Sequence, residues 1–322
     1  HQYLPVDIPY FLEKFISFWR PSILIILETE IWPNLIESCK NNEVRTLLVN
    51  ARLSNKSLNS YKYIRHLISD AIKKLDVILT QYKSDSERFE ELCGESLKIE
   101  ACGNLKFDYE IPKELNLITQ SIKDDWAIAG IHRPTLIAAS THEGEEEIIL
   151  DSFMKILESK SDALLIVVPR HPERFDRVYK KIKKTNLVVA KRSLEEDISE
   201  KVNVLLGDTM GELNLLYSVS DIAFVGGSLV DHGGQNLLEP ASLSRPICSG
   251  ENLRNFQEIS KELKEKNALK IIKEPSDLVE FFLELISEKE LLREKGNAAN
   301  EVFIKNKGAL KHILKKVDFY LT

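Results

Sequence analysis

Short runs of β-branched and leucine residues, unbroken by polar positions, recur along the chain with longer mixed stretches between them. A half-exposed strand would alternate apolar and polar, so uninterrupted runs predict parallel strands covered by helices on both faces. In the first third the runs lie at 22–27, 46–50 and 77–80; beyond residue 130 they lie at 135–139, 163–168, 187–189, 202–206, 222–225 and 246–248. The expected class is α/β, with six strands and their helices forming a complete doubly wound domain in the second half. After Pro275, Leu278, Phe281, Phe282 and Leu285 recur at spacings of three and four and predict a helix. A last amphipathic helix is expected over 310–320, packing on either domain.

The charged stretch 111–132 precedes the regular series and puts the domain boundary near 118–132. Residues 1–125 then form a first, short domain and 126–322 a second. The chain opens on His1. With only three clear strands in its first domain, the expectation is an N-terminal domain that is incomplete.

Composition narrows the function. The 322 residues are 43% hydrophobic with 13 Gly and 11 Pro, which excludes low-complexity disorder and gives enough apolar surface for two cores. A net charge of −6 speaks against general nucleic-acid binding, which relies on Lys and Arg displacing counterions. No apolar run approaches the ~20 residues of a membrane-spanning helix, and the first residues lack the order of a signal peptide. Four scattered cysteines make no close pair, so reduced thiols are expected and no metal site. One stretch departs from the overall acidity: between Lys40 and Lys83 nine Lys and Arg stand against three acids. Such a face is either a solvated helix surface or a surface for phosphates and anionic headgroups.

Ligands of open α/β sheets bind outside the carboxyl ends of the strands, so the residues there carry the candidate chemistry. The first strand ends in Glu28-Thr29-Glu30-Ile31-Trp32-Pro33-Asn34. Its two carboxylates are either a helix-capping pair or part of a polar site. The second ends in Asn50-Ala51-Arg52-Leu53-Ser54, followed by Lys56, and Lys106 lies in Gly103-Asn104-Leu105-Lys106-Phe107-Asp108. Arg52, Lys56 and Lys106 are the candidates for an anion or an acceptor. In the second domain, Ser140-Thr141-His142-Glu143-Gly144-Glu145 reads as a helix start, with His142 either a cap or a cleft residue. Pro169-Arg170-His171-Pro172-Glu173-Arg174 is a stiff turn presenting Arg170 and His171 to a phosphate or carboxylate. Gly207-Asp208-Thr209-Met210-Gly211-Glu212 follows the fourth strand of the domain. Gly226-Gly227-Ser228 and Gly233-Gly234-Gln235-Asn236 lead to a helix carrying Glu239. Two Gly-Gly pairs within nine residues match neither a Walker loop nor a GxGxxG fingerprint, yet suit a phosphate or sugar-acid site.

Taken together and in this order, these motifs resemble the 3-deoxy-D-manno-octulosonic acid (Kdo) transferases of lipopolysaccharide assembly in Gram-negative bacteria. The resemblance runs from the first residues to about Asn255. It implies a GT-B fold and an inverting, metal-independent transfer of Kdo from CMP-Kdo to a lipid A precursor, lipid IVA. It further implies action at the cytoplasmic face of the inner membrane, on an anionic membrane surface, with no cofactor and an N-terminal anchor ahead of this chain. By motif position, Arg170, His171, Asp208, Met210, Gly211, Glu212, Asn236 and Glu239 would bind the donor, with Gly226, Gly227 and Ser228 near its phosphate and carboxylate. Glu30 and Glu28 would stand on the acceptor side, the family's general base lying in a Gly-rich loop before His1. Alternatives of another class are a GT-B enzyme using a UDP-sugar, and a donor-binding fragment without its base.

Overall fold

The computed structural model describes residues 1–94, 97–108, 110–112 and 114–321. The chain divides into two units, 1–109 with 306–322, and 110–305.

The first unit is built on a four-stranded parallel sheet in the order β1-β2-β3-β4: β1 Ile23–Leu27, β2 Arg45–Ala51, β3 Val77–Thr80 and β4 Ile99–Ala101. Both faces are covered, as the apolar runs require. Leu48 and Ile78 pack with Ile36, Ile68, Ile72 and Phe89, while Leu47, Val49, Val77 and Leu79 meet Ile313 of the C-terminal helix Ala309–Leu321. That helix is tethered by Asp108, whose carboxylate accepts from the amides of Gly308 and Leu310. A helix not expected from the sequence, Pro9–Trp19, buries Leu12 and Ile16 against Leu35, Cys39 and Val44.

The second unit holds a seven-stranded, all-parallel sheet in the order β11-β10-β9-β5-β6-β8-β7. Its strands are β5 Thr135–Thr141, β6 Leu164–Pro169, β7 Val189–Lys191, β8 Val204–Leu206, β9 Ile222–Val225, β10 Ile247–Ser249 and β11 Leu269–Ile271. The seventh, β11, is one more than the sequence pattern predicts: it is three residues long and carries the exposed Lys270, so it leaves no apolar run. The connection after β5 leads toward β6 and the one after β9 toward β10, so the direction of winding reverses between β5 and β9. That switch point is where such sheets leave room for a ligand. At the opposite, amino end the guanidinium of Arg133, 2% exposed, donates to the carbonyls of Asp162, Ala163, Ser199 and Val202 and ties the strand entries together.

The boundary falls at 109/110 in place of 125/126. The helix Leu115–Trp126 belongs to the second unit because Ile122 and Trp126 complete the apolar layer of Leu216, Tyr217 and Val219, and Thr119 bonds Ser218 at 2.6 Å. The last residues, 306–322, join the first unit.

Candidate functional site

In the first unit the polar edge forms where β1 and β2 end. Glu28 and Asn50 both adopt left-handed backbone, φ 61° and 52°, an uncommon state for residues other than glycine that concentrates at functional turns. The buried Asn50 accepts the Leu105 amide on its side chain and the Gln81 amide on its carbonyl, while Gln81 accepts from Asn104. This closed set of side-chain amides holds the turn that presents Lys106, whose Nζ stands 3.8 Å from a Glu28 carboxylate oxygen. Glu30 accepts from Trp32 Nε1 at 2.9 Å. Burial, reinforced by the charge of Glu30, pushes the nearby Tyr61 hydroxyl above its usual pKa. The helix Pro33–Asn41 is capped from a distance: Asp7 accepts from the amides of Asn34 and Leu35, which leaves neither glutamate needed as a cap. Arg52 and Lys56 are exposed at the same edge. Within the basic stretch, Arg45, Lys62 and Lys74 pair with Asp76, Glu91 and Glu37, and Arg65 donates to the carbonyls of Leu92 and Glu91. Part of that surplus is therefore structural.

In the second unit the loops after β5, β6 and β9 converge. Asn236 donates to Glu239 at 3.1 Å, and Arg170 is near enough to Glu239 for their charges to interact. Burial lifts the Glu239 carboxyl above its usual range, offset in part by Asn236 and Arg170. His171 and His142 meet edge to face, 5.6 Å between ring centres. Gln235 Nε2 lies 3.2 Å from His142 Nε2.

The amides of the Gly226-Gly227-Ser228 loop are engaged within the protein: Gly226 donates to Ala139, and Gly227, Ser228 and Leu229 donate to Glu145, which also receives His142. The Ser228 hydroxyl is spent on Val225 and Gly250. Glu145, fully buried at the start of the helix Glu145–Ser159, thus fills with a side chain the anion position that helix amides and loop amides create together. Gly226 is required by packing, since a Cβ there would lie 2.6 Å from the Ser140 carbonyl oxygen.

The Asp208 side chain is 4% exposed and bound to Lys191 and Ser193, the pairing that a buried carboxylate needs. Glu212 is held by Arg192 and Thr209, and Met210 and Gly211 are exposed beside it. The residue missed from the sequence is His232, which stacks on His142 at 4.1 Å and 23°. The signal was its position: it follows β9, a strand adjacent to the switch point.

Burial first, then the charges of His232, His171, Arg174 and Arg170, push His142 down to about 4. The folded protein therefore binds fewer protons at His142 than the unfolded chain between pH 6.5 and about 4, so its contribution is present above 6.5 and is lost as pH falls through that window. Urea midpoints measured across that range should decline less steeply in His142→Gln than in the wild type; equal slopes would show that the ring is not buried neutral.

A family model described as 3-deoxy-D-manno-octulosonic-acid transferase (kdotransferase) matches residues 1–109. Over 100% of this chain, and 75% of its own length, the 3-deoxy-D-manno-octulosonic acid transferase of Haemophilus influenzae is 39% identical. The transferase of that name from Rickettsia typhi is 32% identical over 100% of this chain and 67% of its own. Among solved structures, the C-terminal CMP-Kdo binding domain of WaaA from Acinetobacter baumannii is 35% identical at a TM-score of 0.56, covering 59% of this chain and 98% of that one. UDP-GlcNAc 2-epimerase from Neisseria meningitidis, 17% identical, has a TM-score of 0.61 over 96% of this chain and 79% of its own, a likeness of fold alone. With its two parallel α/β units the chain has the GT-B fold, and it belongs to the 3-deoxy-D-manno-octulosonic acid (Kdo) transferase family of glycosyltransferases.

Proposed function

We propose that the protein transfers Kdo from CMP-Kdo to a lipid A precursor, lipid IVA, with inversion and without a metal ion, at the cytoplasmic face of the inner membrane. The observation that carries the donor assignment is the grouping of Arg170, Asn236 and Glu239 at the switch-point edge of the second sheet. The 35% identity to a CMP-Kdo binding domain supports it. In the transfer, an acceptor hydroxyl oxygen bonds to the anomeric carbon from the face opposite the phosphate. The anomeric carbon–oxygen bond to phosphate breaks, CMP leaves with the electron pair, and the hydroxyl proton passes to a carboxylate or to water. Arg170 and His171 meet the charge growing on the departing phosphate. Glu239 and Asn236 hold the ribose hydroxyls, and Met210, Gly211 and Glu212 border the nucleotide.

On the acceptor side, Glu30 and Glu28 orient the attacking hydroxyl, while Lys106, Arg52 and Lys56 meet the acceptor's phosphates. Tyr63, Ile64 and Leu67 are exposed beside Lys56 and Lys62. Apolar side chains amid basic ones suit an anionic lipid surface. No helix among the described residues is long and apolar enough to cross a membrane.

Glu239→Ala should weaken CMP by about 1–3 kcal/mol, the worth of hydrogen bonds to a charged group. Calorimetric titration measures it, and unchanged affinity removes Glu239 from the donor site. Transfer from CMP-Kdo to lipid IVA, assayed with and without EDTA, tests the reaction itself. Product formed equally in both supports the proposal; a loss on chelation that is restored by Mg²⁺ would contradict metal independence.

A further inference from the structure

Three loops each deliver one histidine to the same point: His142 after β5, His171 after β6 and His232 after β9. His142 is the middle ring, 7% exposed, with His232 stacked on it and His171 edge-on, both of these open to solvent. An amide nitrogen only donates, so with Gln235 Nε2 against it, His142 Nε2 accepts and the ring proton sits on Nδ1. His142 is therefore a fixed, neutral ring between two solvent-exposed imidazoles.

The charged groups around the cluster come from every loop that packs there. Arg170 and Arg174 stand on the loop after β6, and both act on His142 as positive charges. The acids are mostly engaged. Glu145 is saturated by four backbone amides. Glu146 is paired with Arg174 and Thr141, and Glu143 with Arg174 and Arg177. Asp231, which interacts with His232, is bound by Asn252 and Arg254. Glu239 interacts with Arg170. The edge thus offers an excess of positive and neutral donors, and three imidazoles there would all gain from an added negative charge. Among the described residues no three His, Cys, Asp or Glu are arranged to hold a metal ion.

We propose that His142, His171 and His232 form the part of the donor site that receives negative charge, and that an anionic donor group settles against His171 and His232 and draws one proton from solvent onto that pair. The proposal rests on the switch-point edge being the donor site. The chemistry is shared by two groups of a CMP-linked sugar acid, the phosphate and the sugar carboxylate, and the test separates them. No bond to carbon is made or broken; the only transfer is one proton from water to an imidazole nitrogen, held there while the anion is bound.

The test is ¹⁵N NMR of the histidine rings titrated over pH 5–8, alone and with saturating CMP, cytidine, or cytidine with Kdo. His171→Gln and His232→Gln identify the signals. With CMP, the pKa of His171 or His232 should rise by about one unit, the effect of an opposite charge within a few ångströms, while His142 stays neutral. Cytidine alone should move neither. A rise with cytidine and Kdo in place of CMP assigns the received charge to the carboxylate and still supports the proposal. CMP bound with measurable affinity, and both rings unmoved by it and by cytidine with Kdo alike, would overturn it. Absence of CMP binding would instead remove the donor-site assignment, and this proposal with it.

Discussion

Glu145→Ala should lower the stability of the second unit by on the order of 4 kcal/mol and abolish CMP binding. The carboxylate accepts four backbone amides, from His142, Gly227, Ser228 and Leu229, at 2.7–3.0 Å and with no exposure to solvent. Each buried donor left without a partner costs about 1–3 kcal/mol, and water re-entering the space recovers part of the sum. Glu145→Gln is the sharper variant, since it keeps the volume but turns an NH₂ toward amides that need an acceptor. Its unfolding midpoint should fall nearly as far as that of the alanine variant. A glutamine variant that melts like the wild type would show that the charge and both acceptor oxygens are unnecessary, and that the loop after β9 is held by packing alone.

Glu30→Ala should reduce transfer by two to four orders of magnitude, the range for a positioned acid or base, while leaving CMP affinity unchanged. Glu30 stands just past the carboxyl end of β1, with Trp32 bonded to its carboxylate and Tyr61 within its field. Glu30→Gln retains an oxygen for Trp32 and removes the charge, so a comparable loss in that variant assigns the effect to the carboxylate charge. A fall in CMP affinity for either variant would put Glu30 on the donor side.

The strands were legible because parallel strands buried on both faces write themselves as unbroken apolar runs, as at 163–168 and 222–225. The short β11, with Lys270 exposed in its middle, has no such run. The domain boundary was displaced because amphipathy shows that 115–126 has an apolar face without showing which sheet that face meets. Arg170 and His171 could be singled out as candidates because they directly follow β6, whereas Asn236 and Glu239 lie well beyond β9 and stood out by the Gly-Gly pairs before them. The actual work of Glu145 could not be picked out: in the sequence it is one acid among three at a helix start, and three of its four partners lie more than eighty residues on. His142 looked solitary for the same reason. Its neighbours come from other loops, and only the strand order β9-β5-β6 brings them together.

The central claim is that the second unit binds a cytidine monophosphate sugar, and calorimetric titration of the protein with CMP and with UDP tests it most directly. The account predicts measurably tighter binding of CMP, weakened by Glu239→Ala; tighter binding of UDP would contradict it.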